Sequence, residues 1–183
     1  MANTLIIGDG PGALSAALFL AKNGQQATVF GNNETPMHYA MLYNYLGIEE
    51  ITGTDFLNVS RAQAAKFGAS IQDKQVAGVE QKNGSFVVTT EDGASHEGQY
   101  LILAEGKALK LANSIGLSTR DDGVVVDFNC QTETENLYAV GRCIRRRRTQ
   151  AVISAGEGAV AALDILAKEN GEADFVDFDE VED

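Results

Sequence analysis

The stretch "TLIIGDGPGALSAALFLAKNGQQATVFG" (residues 4–31) decides the fold. The short apolar run Leu5–Ile7 predicts a buried strand, and a glycine-rich turn follows it directly. Apolar residues then recur at helical spacing until Asn23-Gly24 ends the helix. Residues 27–30 predict the next strand. This order of strand, turn, helix and strand predicts a parallel βαβ unit at the start of an α/β fold.

The turn "GDGPGA" (residues 8–13) has the spacing of a dinucleotide-binding fingerprint. The first glycine permits a tight turn, the second lets the backbone approach a pyrophosphate, and the small final residue lets the helix pack close to the sheet. The helix N-terminus then offers free N–H groups and the positive end of its dipole to phosphate. The turn therefore predicts a binding site formed by Gly8, Gly10, Pro11, Gly12 and Ala13.

Two residues depart from the usual dinucleotide pattern. Asp9 places a carboxylate in the phosphate turn, where it repels phosphate unless it points outward. Gly31 ends the second strand, where an acidic residue often holds the ribose hydroxyls. Glu34 lies three residues further on and is either a substitute for that acid or a solvated loop residue.

Pattern along the rest of the chain predicts one more helix, a β-meander and a closing strand–helix pair. Thr54 is the predicted N-cap of a helix over residues 55–67 that ends at Gly68. Three β-like segments follow (69–82, 85–92 and 93–106), separated by the hairpin signals "NG" and "DG". The last core strand is predicted at 137–140 and the last helix at 150–168, with Thr149 as its N-cap.

Length, charge and composition limit the classes of protein to which this chain can belong. The chain has 183 residues, a formal charge of −12 and 44% hydrophobic residues, which suits one acidic globular domain. Such acidity argues against nucleic-acid binding, and no apolar run is long enough to span a membrane. The first residues lack the features of a signal peptide, so we expect a cytoplasmic protein. We expect a single domain over residues 1–170 and a loosely packed acidic tail over 171–183.

Several longer segments resemble the FAD-binding domain of the low-molecular-weight thioredoxin reductase family. The opening unit is one, and "YNYLGIEEITGTDFLNVSRAQAAKFGASI" (43–71) is a second. "YLILAEG" (100–106) is similar to the family's "ATG" strand. The longest and most specific match is "ENLYAVGRCIRRRRTQAVISAGEGAVAALDIL" (135–166). The resemblance implies an FAD/NAD(P)-binding Rossmann-like domain with a central parallel sheet, a β-meander crossover and FAD as the cofactor.

The chain also departs from that family. The family inserts an NADPH-binding domain with a redox-active CxxC between the "ATG" strand and the C-terminal segment, whereas here only "KALKLANSIGLSTRDDG" (107–123) lies between them. Such a segment is too short for a domain. The two cysteines, Cys130 and Cys143, form no CxxC. The resemblance is therefore to a single-domain group that keeps the FAD half alone and is not a complete thioredoxin reductase.

The resemblance extends the expected cofactor-binding set beyond the glycine turn. Arg142 replaces the aspartate that holds the flavin ribitol in the family, and Leu46 replaces the proline of its "NYPG" motif. Backbone N–H groups of Gln150 and Ala151 would face the pyrimidine edge of the flavin. The further residues expected to bind FAD are Gly31, Asn44, Val76, Ala104, Gly106, Gly141, Arg142, Gln150 and Ala151.

An arginine run, Arg145–Arg148, lies in the loop that leads to the expected flavin edge. It is either a solvated loop that the acidic tail partly neutralises, or a docking site for an anionic small molecule or an electron-donor protein. The resemblance also leaves open a homodimer that covers the exposed flavin face. Function therefore has three interpretations: an FAD-dependent oxidoreductase with an external electron donor, a non-catalytic flavin-binding module, and an NAD(P)-binding protein.

Three further kinds of residue each have two possible roles near the expected flavin. His38 is either a proton donor to reduced flavin or a structural loop residue. Cys143 is either a redox thiol or an ordinary small residue. The tyrosines Tyr39, Tyr43 and Tyr45 either stack on the ring or pack in the core.

Overall fold

A computed structural model describes residues 2–181. In chain order its elements are β1 (Asn3–Ile7), α1 (Pro11–Lys22), β2 (Gln26–Gly31), β3 (Met41–Leu42), β4 (Ile51–Thr52), α2 (Gly53–Lys66), β5 (Ser70–Asp73), β6 (Val76–Lys82), β7 (Ser85–Thr90), β8 (Ser95–Gly98), β9 (Tyr100–Leu103), α3 (Lys110–Ser114), β10 (Thr119–Arg120), β11 (Gly123–Val124), β12 (Leu137–Ala139) and α4 (Ala151–Asn170). Two 3₁₀ turns, Pro36–Tyr39 and Gly141–Cys143, precede β3 and α4.

A five-stranded parallel sheet forms the centre, in the order β12-β9-β1-β2-β5. Its middle strands are apolar runs buried on both faces, as Leu5, Ile6, Leu101 and Ile102 show with exposures of 1% or less. Parallel strands covered on both sides read as such continuous apolar runs. The predicted α/β class with a central parallel sheet is confirmed.

The β-meander is the antiparallel sheet β6-β7-β8. Asn83 and Gly84 both have positive φ, 52° and 84°, as a tight hairpin turn requires. The first predicted β segment, 69–82, is not one strand, however. Its start, β5, pairs with β2 in the parallel sheet, and a turn at Lys74 sends the rest into the meander as β6.

The N-terminus of α2 differs from the prediction by two residues. Thr52 is the N-cap, and its Oγ1 accepts a hydrogen bond from the N–H of Asp55 at 3.1 Å. Thr54, the predicted cap, lies inside the helix, and its hydroxyl contacts His38 Nδ1 at 3.0 Å. Both threonines precede helical sequence, and only the extended backbone of Thr52 (φ −67°, ψ 148°) suits a cap.

Helices α1 and α4 cross in close contact through small residues. A Cβ added at Gly12 would lie 3.0 Å from the carbonyl oxygen of Ser154, and one at Gly158 would collide with the backbone carbonyl of Gly12. Ala16 and Ala161 beside this contact are fully buried. The close crossing brings the N-termini of both helices to one side of the sheet.

The connection from β9 to β12 (residues 104–136) holds only α3 and the β10-β11 hairpin. Within residues 2–181, no helix combines the length and apolar character needed to cross a bilayer.

The acidic tail is packed more closely than predicted over its described part. Lys22 Nζ lies 2.6 Å from a carboxylate oxygen of Asp177 and 2.6 Å from one of Asp179. Phe175 is partly buried against the core. Lys22 ends α1 and attracts these acids, which anchor the tail there. The last two residues of the predicted tail, 182–183, lie outside the described residues.

Candidate functional site

A cleft of about 520 Å³ opens at the carboxyl ends of β1, β2, β9 and β12. Ligands of open α/β sheets bind at this edge. Most of the residues predicted to bind the cofactor line this cleft. They are Gly8, Gly10, Pro11, Gly12, Gly31, Ala104, Gly106, Gly141, Arg142, Gln150 and Ala151.

The glycines of the turn are needed for different reasons. Gly8 has φ +104°, and a Cβ there would lie 2.8 Å from the carbonyl carbon of Ala104, so the fold itself requires glycine. Gly10 has an ordinary φ of −77°, and a Cβ there would meet nothing within 4 Å. The chain alone therefore does not require glycine at position 10. The space above Gly10 is free for a ligand group that approaches the backbone.

Two helix N-termini line the cleft without side-chain caps. Gly10 is the N-cap of α1 and carries no side chain, and Gln150 is the N-cap of α4 and makes no side-chain capping bond. The prediction of Thr149 as N-cap was wrong, because the extended backbone conformation that precedes the helix falls on Gln150 (φ −140°, ψ 157°). The first turn of each helix thus keeps free N–H groups and a positive dipole end toward the cleft.

Two cations on the cleft wall lack acidic partners. Among residues 2–181, neither Lys107 nor Arg142 forms a salt bridge. The Nε of Arg142 is buried and has no hydrogen-bond partner among these residues. A buried guanidinium N–H without a partner is costly unless a ligand supplies an acceptor. Together with the two helix N-termini, these cations make the cleft suited to an anionic ligand.

The carboxylates in the cleft have their own partners. Asp9 is only 6% exposed, and its Oδ2 lies 3.0 Å from Arg61 Nη1 and accepts the N–H of Asn33 at 2.8 Å. Glu105 accepts the backbone N–H groups of Leu111 and Ala112 at 2.9 and 2.8 Å. The expected conflict between Asp9 and a phosphate in the turn is thereby reduced, because the side chain turns toward the end of β2.

The turn that carries Arg142 is held by a buried carboxylate from α4. Glu157, 8% exposed, accepts the N–H of Gly141 at 2.8 Å and forms an ion pair with Arg145 Nε. The same carboxylate raises the pKa of the Arg145 guanidinium. Gly141 itself has φ +72°, which favours glycine. Glu157 therefore fixes the backbone from which Arg142 enters the cleft.

Three of the residues predicted to bind the cofactor do not line the cleft. Ala13 is fully buried beneath the turn, in the packing role that the fingerprint assigns to it. Asn44 lies in an exposed loop, and its Nδ2 donates to Gln150 Oε1 at 3.2 Å. Val76 begins β6 and packs partly buried against the core. Asn44 thus reaches the start of α4, whereas Val76 belongs to the base of the meander.

The sequence-based candidates for proton and redox chemistry are occupied elsewhere. His38 uses both ring nitrogens in the loop, with Nδ1 at 3.0 Å from Thr54 Oγ1 and Nε2 at 2.8 Å from the carbonyl of Asn33. Cys143 is fully buried, and its Sγ donates to the carbonyls of Leu103 and Val140. Burial raises the pKa of the Cys143 thiol to about 12, so it is no reactive thiolate at neutral pH.

The other cysteine, Cys130, is also buried, and none of the three tyrosines considered from sequence lines the cleft. Burial raises the pKa of the Cys130 thiol to about 12 as well. Tyr45 packs against Phe56, with ring centroids 5.1 Å apart. Tyr39 and Tyr43 are 94% and 68% exposed, and neither lines the cleft.

The four arginines of the run differ in their contacts and exposure. Arg145 is paired with Glu157, and the N–H of Arg146 donates to the carbonyl of Asp122 at 2.9 Å. Arg147 and Arg148 are exposed. The described part of the tail forms no ion pair with this run, since Asp177 and Asp179 bind Lys22 at the end of α1, and both alternatives for the run stay open.

Sequence reasoning missed several residues of the cleft wall, notably Lys107, Ser154 and the loop 35–37. Lys107 directly follows the "AEG" turn, and this position was a readable signal. Ser154 becomes a wall residue only because α1 and α4 cross so closely, which no local pattern reveals. The pairing of Arg61 with Asp9 across 52 positions of sequence was equally unreadable.

Comparison with known proteins agrees with this geometry. The family model described as "Pyridine nucleotide-disulphide oxidoreductase" matches residues 2–108 and 58–158. Thioredoxin reductase from Helicobacter pylori is 30% identical over 60% of this chain and 37% of its own length. The Streptomyces coelicolor enzyme is 31% identical over 64% of this chain and 39% of its own length. The chain therefore spans less than two fifths of these curated relatives.

Solved structures support the fold. A thioredoxin reductase from Gloeobacter violaceus superimposes with a TM-score of 0.89 over 98% of this chain and 99% of that chain, at 18% identity. The atypical thioredoxin reductase TRi from Desulfovibrio vulgaris Hildenborough gives a TM-score of 0.84 over 96% of this chain and 100% of that chain, at 19% identity. On the family match, the chain belongs to the pyridine nucleotide-disulphide oxidoreductase family and is a thioredoxin reductase-like domain.

Proposed function

We propose that the cleft binds one FAD and that the protein is a flavin-dependent oxidoreductase that takes electrons from an external donor. The observation that carries this proposal is the open space above Gly10, which is flanked by two uncapped helix N-termini. The wall includes residues at the end of β2 and at the start of α4, so that a dinucleotide could contact both ends of the cleft.

Different parts of the wall would hold different parts of the cofactor. Gly10 and Gly12 would hold the pyrophosphate through backbone N–H groups, as the fingerprint requires, whereas the N–H of Gly8 already donates to the carbonyl of Phe30 at 2.7 Å. Arg142 and Lys107 on the cleft wall are cations that form no salt bridge within residues 2–181. When bound, FAD supplies the redox chemistry, and the protein contributes binding, orientation and electrostatics.

The N-terminus of α4 has a specific electrostatic role in this proposal. The N–H groups of its first turn, at Ala151 and the two residues after it, stay unpaired within the helix, because the first intrahelical bond is Ser154 N–H to the carbonyl of Gln150. A helix N-terminus stabilises nearby negative charge by about 0.3–1 kcal/mol when exposed and by up to about 2 when partly buried. The helix therefore favours electron uptake by a group bound against it.

The electrons have to come from outside the described domain. The chain's two cysteines are both buried and do not form a dithiol at the cleft. The connection 104–136 holds no nucleotide-binding unit. Arg147 and Arg148, exposed beside the start of α4, form a basic site for an acidic protein donor or an anionic small molecule.

The visible absorption spectrum of the purified chain, supplied with FAD and desalted, tests this function. We expect a flavin spectrum at an equimolar ratio to protein. Anaerobic addition of NADH, NADPH or a reduced small iron–sulfur protein should then bleach it with at least one donor. Binding of NAD(P)H with no retention of flavin would contradict the proposal, and flavin that no donor reduces would indicate a non-catalytic module.

A further inference from the structure

Nucleotide-binding folds usually place an acidic residue at the end of the second strand. In this chain the carboxylate lies on the glycine turn instead. The strand end is Gly31, without a side chain, while the turn carries a carboxylate, Asp9. A Cβ built on Gly31 would lie 2.6 Å from the Cβ of Asp9 and 2.6 Å from its Oδ2. The Asp9 side chain thus fills the space into which a side chain at position 31 would extend.

The Asp9 carboxylate is held so that one oxygen stays available. Its Oδ2 takes both contacts, with Arg61 Nη1 and with the N–H of Asn33, while its Oδ1 accepts no hydrogen bond from residues 2–181. Asp9 is only 6% exposed, yet it lines the cleft. A carboxylate oxygen in that position accepts hydrogen bonds from a ligand.

The local charge favours hydroxyl groups over phosphate. Arg61 also binds Asp73, so one guanidinium faces two carboxylates and the cluster has a net negative charge. A phosphorylated ribose would meet this charge, whereas ribose hydroxyls donate to it. Glu34, the substitute considered from sequence, also lines the cleft, but it is exposed and its Oε2 accepts a hydrogen bond from Asn32 Nδ2 at 2.8 Å.

We infer that Asp9 is the carboxylate that recognises the ribose hydroxyls of the adenosine half of the cofactor, in place of an acid at the end of β2. Arg61 positions it by binding Oδ2. The site consequently selects nucleotides with an unphosphorylated ribose. This inference rests on the proposed function, since it assigns a residue to one end of the same cleft.

An exchange of the two positions provides the test. The variants are Asp9→Gly, Gly31→Glu and the double variant with both changes, with Glu34→Gln to test the rival carboxylate of the cleft wall. Each full-length chain, freed of flavin, is titrated with FAD and with the FAD analogue whose adenosine lacks both ribose hydroxyls, by flavin fluorescence. Asp9→Asn repeats the measurement with unchanged side-chain volume, and thermal melting confirms that each variant is folded.

We expect the parent and Glu34→Gln to prefer FAD over the analogue by about tenfold or more, as for hydrogen bonds to a charged group. Asp9→Gly should abolish that preference, and Asp9→Asn should reduce it. Gly31→Glu alone should weaken FAD binding, because the two side chains collide. The double variant should regain most of the preference, since a strand-end carboxylate then occupies the vacated space.

Several results would overturn the inference, and they separate it from the proposed function. If the parent binds FAD and Asp9→Gly keeps the full preference, or Glu34→Gln loses it, the Asp9 assignment fails while the proposed function stands. A double variant that binds FAD more weakly than both single variants also refutes the exchange. A parent that binds neither compound refutes the proposed function together with the inference.

Discussion

Arg142 and Cys143 are neighbours in sequence with opposite surroundings. Arg142 extends to the cleft wall with a buried Nε that has no partner among residues 2–181, whereas Cys143 is fully buried below it. The buried Nε of Arg142 can still donate a hydrogen bond to a ligand, whereas burial protects the thiol of Cys143 from reaction.

Replacing Arg142 tests the cofactor role. Arg142→Ser should weaken FAD binding by about tenfold or more, because hydrogen bonds to charged groups contribute about 1.5–3 kcal/mol. Arg148→Ser is the matched control, since it removes an exposed arginine of the same loop outside the cleft wall. Fluorescence titration of both variants checks this; equal affinities would remove Arg142 from the site.

The raised pKa of Cys143 leads to a prediction about reactivity and pH. The folded protein should resist iodoacetamide at pH 8 at both cysteines and react at both in urea, as mass spectrometry would show. The folded thiols keep their protons to about pH 12, while unfolded thiols lose theirs near pH 9. The free energy of unfolding should therefore fall as pH rises from 9 toward 12. Fast alkylation of the folded chain would contradict this burial.

At the scale of elements, α4 organises the site. Its N-terminus opens on the cleft, its glycine lets α1 approach, and its Glu157 holds the Gly141–Arg145 turn. One helix thereby fixes the electrostatics, the width and the loop of the cleft.

Replacing Glu157 tests that arrangement. Glu157→Gln should lower the free energy of unfolding by about 1–3 kcal/mol, because it removes the charge that Arg145 and the Gly141 N–H share. The loss is limited because the Arg145 side chain is 48% exposed. Glu172→Gln, exposed beyond the end of α4, should change stability little. Urea denaturation of both variants measures the difference, and equal midpoints would refute the bracing role.

Elements with strong local signals were predictable from sequence. The βαβ unit, the hairpin turns at Asn83-Gly84 and Asp92-Gly93, and α4 follow from apolar periodicity and turn chemistry. The helix caps were each misplaced, because Thr52 and Thr54 are chemically equal and only backbone conformation selects one. The split of 69–82 into β5 and β6 depends on pairing with β2, which is a tertiary fact.

The site was predictable where a motif carried it and not where distant segments meet. The glycine turn and the Gln150–Ala151 helix start were read directly, and both lie on the cleft. The contacts of Asp9 with Arg61 and with the Cβ space of Gly31 join three separate segments. Such contacts have no local sequence signature, so the role inferred for the Asp9 carboxylate could not be proposed from sequence.

At the scale of the whole molecule, the charge distribution sets the basic site apart. The chain carries a net charge of −12, yet Arg147 and Arg148 lie exposed together beside the start of α4. Complementary charge steers association and fixes orientation. An acidic donor would meet repulsion over most of the surface and attraction at this site.

Removing the two exposed arginines tests the docking proposal. Arg147→Ser with Arg148→Ser should leave FAD bound but slow flavin reduction by an acidic protein donor. The effect should shrink with added salt, since exposed charges are screened over about 10 Å at 0.1 M ionic strength. Arg120→Ser, an exposed arginine of β10, serves as control. Stopped-flow rates that match the parent at every salt concentration would mark the two arginines as a solvated loop.

The central claim, that the cleft over Gly10 binds FAD, is tested most directly by the flavin content of Gly10→Glu. The new carboxylate would occupy the space that the structure leaves open above Gly10, without strain on the chain. Gly156→Glu adds the same charge at an exposed position of α4 where a Cβ also meets nothing within 4 Å. We predict equimolar FAD in the parent and in Gly156→Glu, and none in a folded Gly10→Glu. Full flavin loading of Gly10→Glu would contradict the account.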